Sequence, residues 1–174
     1  MSLYVANPMS RKKIRDITNF IRKVLQLENE PYFPVLHFLE LGMPLIDNKF
    51  NYEIKTVEEM GACYGITYPE ENRIDLREDV YERAVKDVPR DRFTIAHEIA
   101  HYLLHTPKTV AFARANGSEK LPAYLDPEWQ ANAFAGELLA PPHLIKEMSL
   151  SEIEASCGVS RMVAEIQLKI TRGE

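Results

Sequence analysis

Two histidines and a glutamate in the middle of the chain could together hold and use a metal ion. His97, Glu98 and His101 form the pattern His-Glu-x-x-His within the segment TIAHEIAHY. Four residues make about one helical turn, so on a helix the two imidazoles lie about 40° apart around the axis and can bind one ion. Glu98 is rotated about 100° from His97, which places its carboxylate beside the ion. A general base in that position can take a proton from a metal-bound water. The pattern therefore predicts a zinc site with hydrolytic chemistry, and roughly 0.015 chance matches are expected in a chain of this composition.

A catalytic zinc ion needs a third protein ligand, and we predict that Glu128 supplies it. Asp126 and Pro127 favour the start of a helix, since Asp is a preferred N-cap and Pro a preferred first helical residue. On that helix Glu128 shares a face with small alanines, which would allow close approach to the first helix. Asn132, one turn later, could orient a metal ligand. The other acid, Glu137, points about 180° away and is predicted to face solvent.

Three more residues near these motifs could bind substrate or stabilise a developing oxyanion, namely Tyr102, His105 and Tyr124. The sequence alone does not indicate which of the three has this role. His105 lies eight residues after His97, about 12 Å along a straight helix, so it is not expected to share the ion. Packing, a hydrogen bond to a ligand and substrate contact all stay open for His105.

Hydrophobic periodicity predicts the elements that must position these residues. Helical spacing is found over residues 10–27, 32–41, 79–87, 91–105 and 127–140. Alternation typical of strands is found over residues 50–55, 64–68 and 73–77. We expect Gly42 to end the second helix, the strands to form an antiparallel sheet, and strand 73–77 to be an edge to which substrate could pair. Segment 106–126 shows no sustained period.

These elements predict an α+β fold with a zincin-like core, in which a small antiparallel sheet accompanies the motif helix, the third-ligand helix and flanking helices. We expect residues 1–174 to form one metallopeptidase domain. Its predicted parts are N-terminal helices and a first strand over 1–60, a zinc-site core over 62–141, and a helix-turn-helix-like tail over 142–174.

Composition narrows the class of protein. The chain has 174 residues and a formal charge of −5, which does not favour binding to nucleic acid or to an anionic membrane. Residues 1–30 carry six basic and three acidic side chains, a modest patch that we interpret as a solvated helix face. No apolar run is long enough to span a membrane and no signal sequence is visible. The two cysteines do not form a metal or disulfide pattern, so we expect a cytoplasmic protein.

The chain resembles the ImmA/IrrE metallopeptidases, also described as the M78 peptidases. The resemblance lies in the segment from Arg92 to His101 and in Glu128-x-x-Ala-Asn-x-Phe-Ala-x-x-Leu-Leu-x-Pro, which ends at Pro141. It implies one zinc ion per chain on His97, His101 and Glu128, with Glu98 as the catalytic acid/base. It also implies a protein substrate, a helix-turn-helix (Xre-type) transcriptional repressor encoded nearby in a phage, mobile element or toxin–antitoxin-like operon.

Two alternatives stay open at this point. One is a non-proteolytic zinc-containing regulator that binds its repressor partner. The other is a DNA-binding regulator that acts through the tail, in which Gly158 would lie in the turn and Ser160 would cap the second helix. The few basic residues and several acids of the tail do not favour direct DNA binding.

Overall fold

The computed structural model of the chain describes residues 2–106, 110–114 and 121–173. Within these ranges the α-helical segments are α1 (Arg11–Val24), α2 (Val35–His37), α3 (Met43–Ile46), α4 (Val57–Met60), α5 (Glu78–Val85), α6 (Pro89–Leu104), α7 (Pro127–Leu139), α8 (Pro142–Ile145), α9 (Leu150–Cys157) and α10 (Arg161–Arg172). The strands are β1 (Ser2–Ala6), β2 (Asn51–Lys55), β3 (Gly65–Tyr68), β4 (Arg73–Arg77) and β5 (Val110–Arg114). A π-helical turn covers Phe38–Gly42, and 3-10 turns cover Pro69–Glu71 and Ala123–Leu125.

The helical core is built around α6 and α7, which pack against each other. Both helices bury alanines at their helical spacing, and Ala96, Ala100, Ala131 and Ala135 are all 0% exposed. Small side chains allow two helix axes to come close. Helix α1 packs on the same α7, and its N-terminus is capped by Ser10, whose hydroxyl accepts a hydrogen bond from the backbone N–H of Lys13 at 3.2 Å.

A three-stranded sheet lies beside α6 in the order β2-β4-β3. Strands β3 and β4 are antiparallel, as predicted, with Gly65 opposite Leu76. The prediction of a wholly antiparallel sheet is wrong for β2, which is parallel to β4 with Asn51 opposite Arg73. Alternation specifies which side chains share a face but not the direction of the neighbouring strand. The predicted α+β class is confirmed, with a mixed sheet.

Strand β4 is the central strand of this sheet, so the prediction that residues 73–77 form an edge is wrong. Its backbone groups pair with β2 on one side and β3 on the other. Strand β3 is an edge, and it contacts α6. Any pairing of an extended peptide beside α6 would therefore involve β3.

A second sheet pairs β1 with β5 in antiparallel register, Ala6 opposite Val110. Periodicity predicts neither strand, and β5 lies inside the segment 106–126 that shows no sustained period. Each strand has only five residues and its partner lies about a hundred residues away in the chain, so local alternation carries little signal for the pair. The rest of segment 106–120 lies outside the described residues, apart from Thr106 itself.

The second helix differs from its prediction at Gly42. Instead of ending there, the chain continues through the π-helical turn into α3, and Gly42 has right-handed helical angles of φ −75° and ψ −47°. A Cβ at this position would lie 2.4 Å from Cδ2 of the Phe38 ring. Glycine is therefore required here for the close approach of that ring and does not act as a helix terminator.

The tail packs onto the core through a buried arginine. Arg92 of α6 is 0% exposed, and its Nη1 donates to the carbonyl of Cys157 at 2.8 Å and to that of Gly158 at 2.5 Å. Gly158 has φ +64° and ends α9 in the left-handed conformation, so α9, its turn and α10 have the local form predicted from the sequence. No helix among the described residues has both the length and the apolar character needed to cross a lipid bilayer.

Candidate metal centre

The side chains of His97, His101 and Glu128 converge on one point between α6 and α7. Their candidate ligand atoms all lie within 4.8 Å of one another. The two Nε2 atoms are 3.0 Å apart, and each is 3.2 Å from a carboxylate oxygen of Glu128. Zinc bonds of about 2.0–2.1 Å in tetrahedral geometry would place ligand atoms about 3.3 Å apart. The spacing and the donor types therefore fit one ion of the size of zinc.

Glu128 reaches this point because of how α7 begins. The carboxylate of Asp126 caps the helix and accepts a hydrogen bond from the backbone N–H of Glu128 at 2.9 Å. Glu128 thus stands in the first turn of a helix that packs against α6. Its side chain is 67% exposed, whereas those of His97 and His101 are 17% and 18% exposed. The cluster is therefore open to solvent on the side of Glu128, where a substrate could enter.

The charged groups of the cluster shift one another's pKa values. Hydrogen bonds from His101 and His97, together with their charges, hold the pKa of Glu128 far below its ordinary value even though burial opposes this. Burial alone would lower the pKa of His97, but the hydrogen bond to Glu128 and the nearby charges of Glu98 and Glu128 together raise it. The site therefore keeps an ionised carboxylate beside two imidazoles and attracts positive charge.

Glu98 stands next to this cluster and is not one of the converging ligands. It is 8% exposed, and its Oε2 accepts a hydrogen bond from the hydroxyl of Thr67 at 2.7 Å. The same hydroxyl oxygen lies 3.0 Å from the Glu98 carbonyl oxygen. A Cβ on Gly65 would lie 2.6 Å from Cγ of Glu98, so strand β3 can approach the glutamate this closely only with glycine at that position.

Sequence reasoning missed Thr67 and Gly65 as neighbours of Glu98. The strand pattern places both residues on β3, but it does not indicate which helix that strand packs against. Thr67 and Glu98 are 31 residues apart, and their contact arises only when β3 lies along α6.

Each metal-facing histidine has a hydrogen-bond partner at its other nitrogen. The Oδ1 of Asn132 lies 2.9 Å from Nδ1 of His97, the kind of contact expected for Asn132. Nδ1 of His101 lies 2.9 Å from Nδ1 of His105, which is buried at 6% exposure. His105 in turn contacts Gln130, with 2.9 Å between His105 Nε2 and Gln130 Oε1. No motif in the sequence singles out Gln130.

The two tyrosines considered as oxyanion donors have different surroundings. The hydroxyl of Tyr102 donates to Asp47 at 2.6 Å, and its ring packs edge-on against Phe50. This donor is already engaged by a residue outside the cluster. Tyr124 is 50% exposed in the 3-10 turn that precedes α7, four residues before Glu128, and is the better placed of the two to meet a bound peptide.

Glu137 does not face solvent, so that prediction is wrong. Its side chain is 0% exposed and pairs with two arginines of α1, Arg11 at 3.1 Å and Arg15 at 2.8 Å. The helical wheel placed Glu137 opposite Glu128 correctly, but α1 covers that side of α7. A buried carboxylate is tolerated there because two guanidinium groups compensate its charge.

A helix with His-Glu-x-x-His, a glutamate ligand from a second helix and a small sheet beside them define a zincin-like metallopeptidase core. The chain belongs to the Peptidase_M78 family, since the family model described as the IrrE N-terminal-like domain matches residues 55–169. The match spans β3, α6, α7 and most of α10, and it supports a metalloprotease-type function. No curated protein and no solved structure matches the chain significantly.

Proposed function

We propose that the protein is a zinc-dependent endopeptidase that cleaves a helix-turn-helix transcriptional repressor encoded near its own gene. One zinc ion is held by His97, His101 and Glu128, and Glu98 is the catalytic acid/base. The observation that carries the proposal is the position of Glu98, a buried carboxylate beside three converging ligand atoms. A zinc site with a purely structural role has no use for such a base.

The chemistry that bound zinc supplies is Lewis acidity, which polarises the scissile carbonyl and lowers the pKa of water towards roughly 7. Glu98 accepts the proton of the attacking water and returns it to the amine that leaves. The hydrogen bond from Thr67 to Oε2 favours exchange of the proton at Oε1.

Strand β3 offers the place where an extended substrate would bind. It is a sheet edge, it contacts α6, and the side chain of its Thr67 points at Glu98. A peptide that pairs with β3 as an added strand would lie across the cluster. Slower amide hydrogen exchange in residues 65–68 with a bound peptide would support this, whereas unchanged exchange there would contradict it.

The substrate class rests on the resemblance of the α6 and α7 motifs to the ImmA/IrrE proteins. The net charge of −5 suits a protein that acts on a basic DNA-binding partner rather than on DNA itself. The tail supports the same view, because Arg161 at the start of α10 is paired with Glu154 at 3.2 Å and with Glu165 at 3.5 Å. The exposed residues beside it include Met162 and Ile166, which are 67% and 49% exposed and carry no charge for phosphate.

The test is to incubate the zinc-loaded protein with the helix-turn-helix protein encoded next to its gene and to identify fragments by mass spectrometry. We expect one discrete cleavage that a chelator abolishes. Glu98→Gln should retain zinc and lose cleavage, while His37→Gln, which changes an exposed histidine outside the cluster, should cleave normally. Cleavage by Glu98→Gln would overturn the mechanism. Binding of the repressor without cleavage by the zinc-loaded protein would instead favour a non-proteolytic regulator.

A further inference from the structure

We infer that Gln130 and His105 are positioning residues that determine which nitrogen of His101 is available to a metal ion. The inference rests on the proposed metal site and adds a chain of hydrogen bonds to it. The chain starts at two backbone carbonyl groups, passes through Gln130 and His105, and ends at His101.

The side-chain amide of Gln130 has a single orientation. Its Nε2 lies 2.9 Å from the carbonyl oxygen of Asn7 and 2.8 Å from that of Tyr124. An amide nitrogen carries two hydrogens, and both are used on these carbonyls. Gln130 is 1% exposed, so the flipped amide would bury its oxygen against two other oxygens, away from bulk solvent. Oε1 therefore faces His105.

The orientation of Gln130 sets the tautomer of His105. Nε2 of His105 is 2.9 Å from Gln130 Oε1, and because an amide oxygen only accepts, this nitrogen carries the hydrogen. Protonation of both nitrogens would place a charge on a ring that is 6% exposed, which is costly. His105 is thus neutral, and its Nδ1 presents a lone pair.

The tautomer of His105 in turn sets that of His101. The two Nδ1 atoms are 2.9 Å apart, so His101 donates its Nδ1 hydrogen to His105. Nε2 is then the nitrogen of His101 that remains for a metal ion, and it faces His97 and Glu128. His97 is oriented in the same way but without an intermediate residue, because its Nδ1 hydrogen is donated to Oδ1 of Asn132.

When a metal ion binds, both imidazoles would consequently present Nε2 to it, beside the carboxylate of Glu128. The two Nε2 atoms and the two carboxylate oxygens of Glu128, with contacts of 3.0–3.2 Å, repel one another unless a proton or a metal ion lies between them. The two histidines are held differently. Asn132, the partner of His97, is exposed, whereas His105 and Gln130, which hold His101, are buried, and their chain of hydrogen bonds ends on the backbone. The free-energy cost of fixing the orientation of the His101 ring therefore arises when the protein folds and not when the metal binds. We expect tighter metal binding as a result.

The first experiment measures the tautomer of His105 in the metal-free protein. Long-range ¹H–¹⁵N spectra of chelator-treated protein labelled with ¹⁵N-histidine distinguish a protonated Nε2 from a protonated Nδ1. We expect the hydrogen of His105 on Nε2. A hydrogen on Nδ1 would overturn the inference, because His101 could then not donate to that atom.

The second experiment measures zinc affinity by competition with a chromophoric chelator. His105→Phe keeps a ring but removes the acceptor, and we expect about 10- to 100-fold weaker zinc binding. His105→Gln supplies a carbonyl oxygen to His101 and an amide to Gln130, and it should stay within a few-fold of the unmodified protein, as should the control His37→Gln. Equal affinity for zinc in His105→Phe and the unmodified protein would contradict the inference. If the unmodified protein binds no zinc, the proposed function fails, while the tautomer measurement still decides the role of Gln130 and His105.

Discussion

At the scale of single residues, the proposed chemistry depends on side chains whose partners lie on other elements. Glu98 is held by Thr67 from β3, and His101 is oriented through His105 by Gln130 from α7. None of these partners is a proposed metal ligand. Each restricts a ligand or a base to one geometry, and such restriction lowers the cost of reaching the reactive arrangement.

Replacement of Thr67 should separate turnover from substrate binding. Thr67→Val keeps the shape of the side chain but removes the hydroxyl that restrains Glu98, and we expect kcat to fall about tenfold, or about 1.4 kcal/mol. KM and zinc content should stay nearly unchanged, because the Thr67 hydroxyl donates to Glu98, which is not one of the proposed ligands. Steady-state kinetics on the cleaved repressor provide the measurement.

Thr67→Ser is the matched control, since it retains the hydroxyl, and its kcat should lie close to that of the unmodified protein. An equal loss of kcat in the two variants would mean that the methyl group, and hence packing, matters rather than the hydrogen bond.

Acid should destabilise the metal-free protein partly through His105. Burial lowers the pKa of His105 from 6.5 to about 4 in the folded protein. The unfolded chain therefore binds the extra proton first, so the contribution of neutral His105 to stability is complete above pH 6.5 and is lost as the pH falls towards 4. Denaturant unfolding in the presence of a chelator measures this dependence. In His105→Gln the decrease between pH 6.5 and 4 should be smaller, and an identical decrease would show that His105 is not charged on unfolding.

At the scale of elements, the position of α7 is set from both sides. Helix α6 contacts it on the side of the metal cluster, and α1 contacts it on the side of Glu137. Of the six basic side chains in residues 1–30, Arg11 and Arg15 pair with Glu137, and fully buried Arg22 donates to backbone carbonyls that include that of Leu138 at 2.8 Å. Three of the six basic side chains therefore hold α7 in place, whereas Lys12, Lys13 and Lys23 are exposed.

Breaking the ion pair between α1 and α7 should cost measurable stability. Arg15→Met leaves the fully buried Glu137 with only Arg11, and we expect a loss of about 2 kcal/mol in the free energy of unfolding. Urea denaturation measures this loss. Adding Glu137→Gln to Arg15→Met should restore part of it, because the buried negative charge is then gone.

Lys12→Met is the control on the same helix. Lys12 pairs with Asp16 at the surface, where the two side chains are 82% and 62% exposed, so its loss should change stability by no more than about 0.5 kcal/mol. Equal effects of Arg15→Met and Lys12→Met would contradict the structural importance of Glu137.

At the scale of the whole molecule, the proposed metal links two helices that are separate in the chain. His97 and His101 belong to α6 and Glu128 to α7. A ligand that binds only the folded state stabilises it, by about 2.7 kcal/mol when its free concentration is one hundred times its Kd. Zinc should therefore stabilise the entire domain.

Thermal unfolding with zinc and with a chelator tests this expectation. Zinc should raise the Tm of the unmodified protein, and Glu128→Gln should lose most of that increase while its metal-free Tm changes little, because the Glu128 side chain is largely exposed. If Glu128→Gln responded to zinc like the unmodified protein, Glu128 would not be a ligand.

The spacing of residues within single elements is sufficient to predict much of the candidate site. The two histidines and Glu98 share a predicted helix, and the bounds of α1, α6 and α7 lie within about three residues of the predicted ones. Helix geometry is local, so a spacing of four residues determines which side chains meet whatever the rest of the chain does. The choice of Glu128 needed one further assumption, that α6 and α7 pack closely, and the alanines on both helices indicated it.

By itself, then, the sequence determined the α+β class, the family and the pattern of candidate ligands, because each depends on residue type and short-range spacing. Only the tertiary structure decided that β2 runs parallel to β4, that β3 rather than β4 is the edge beside α6, and that Glu137 is buried against α1. It also decided the partners of the site, since Thr67 contacts Glu98 across 31 residues and Gln130 contacts His105 across 25. The physical reason is that contacts between elements follow from how whole faces pack, and no periodicity within one element specifies its neighbour.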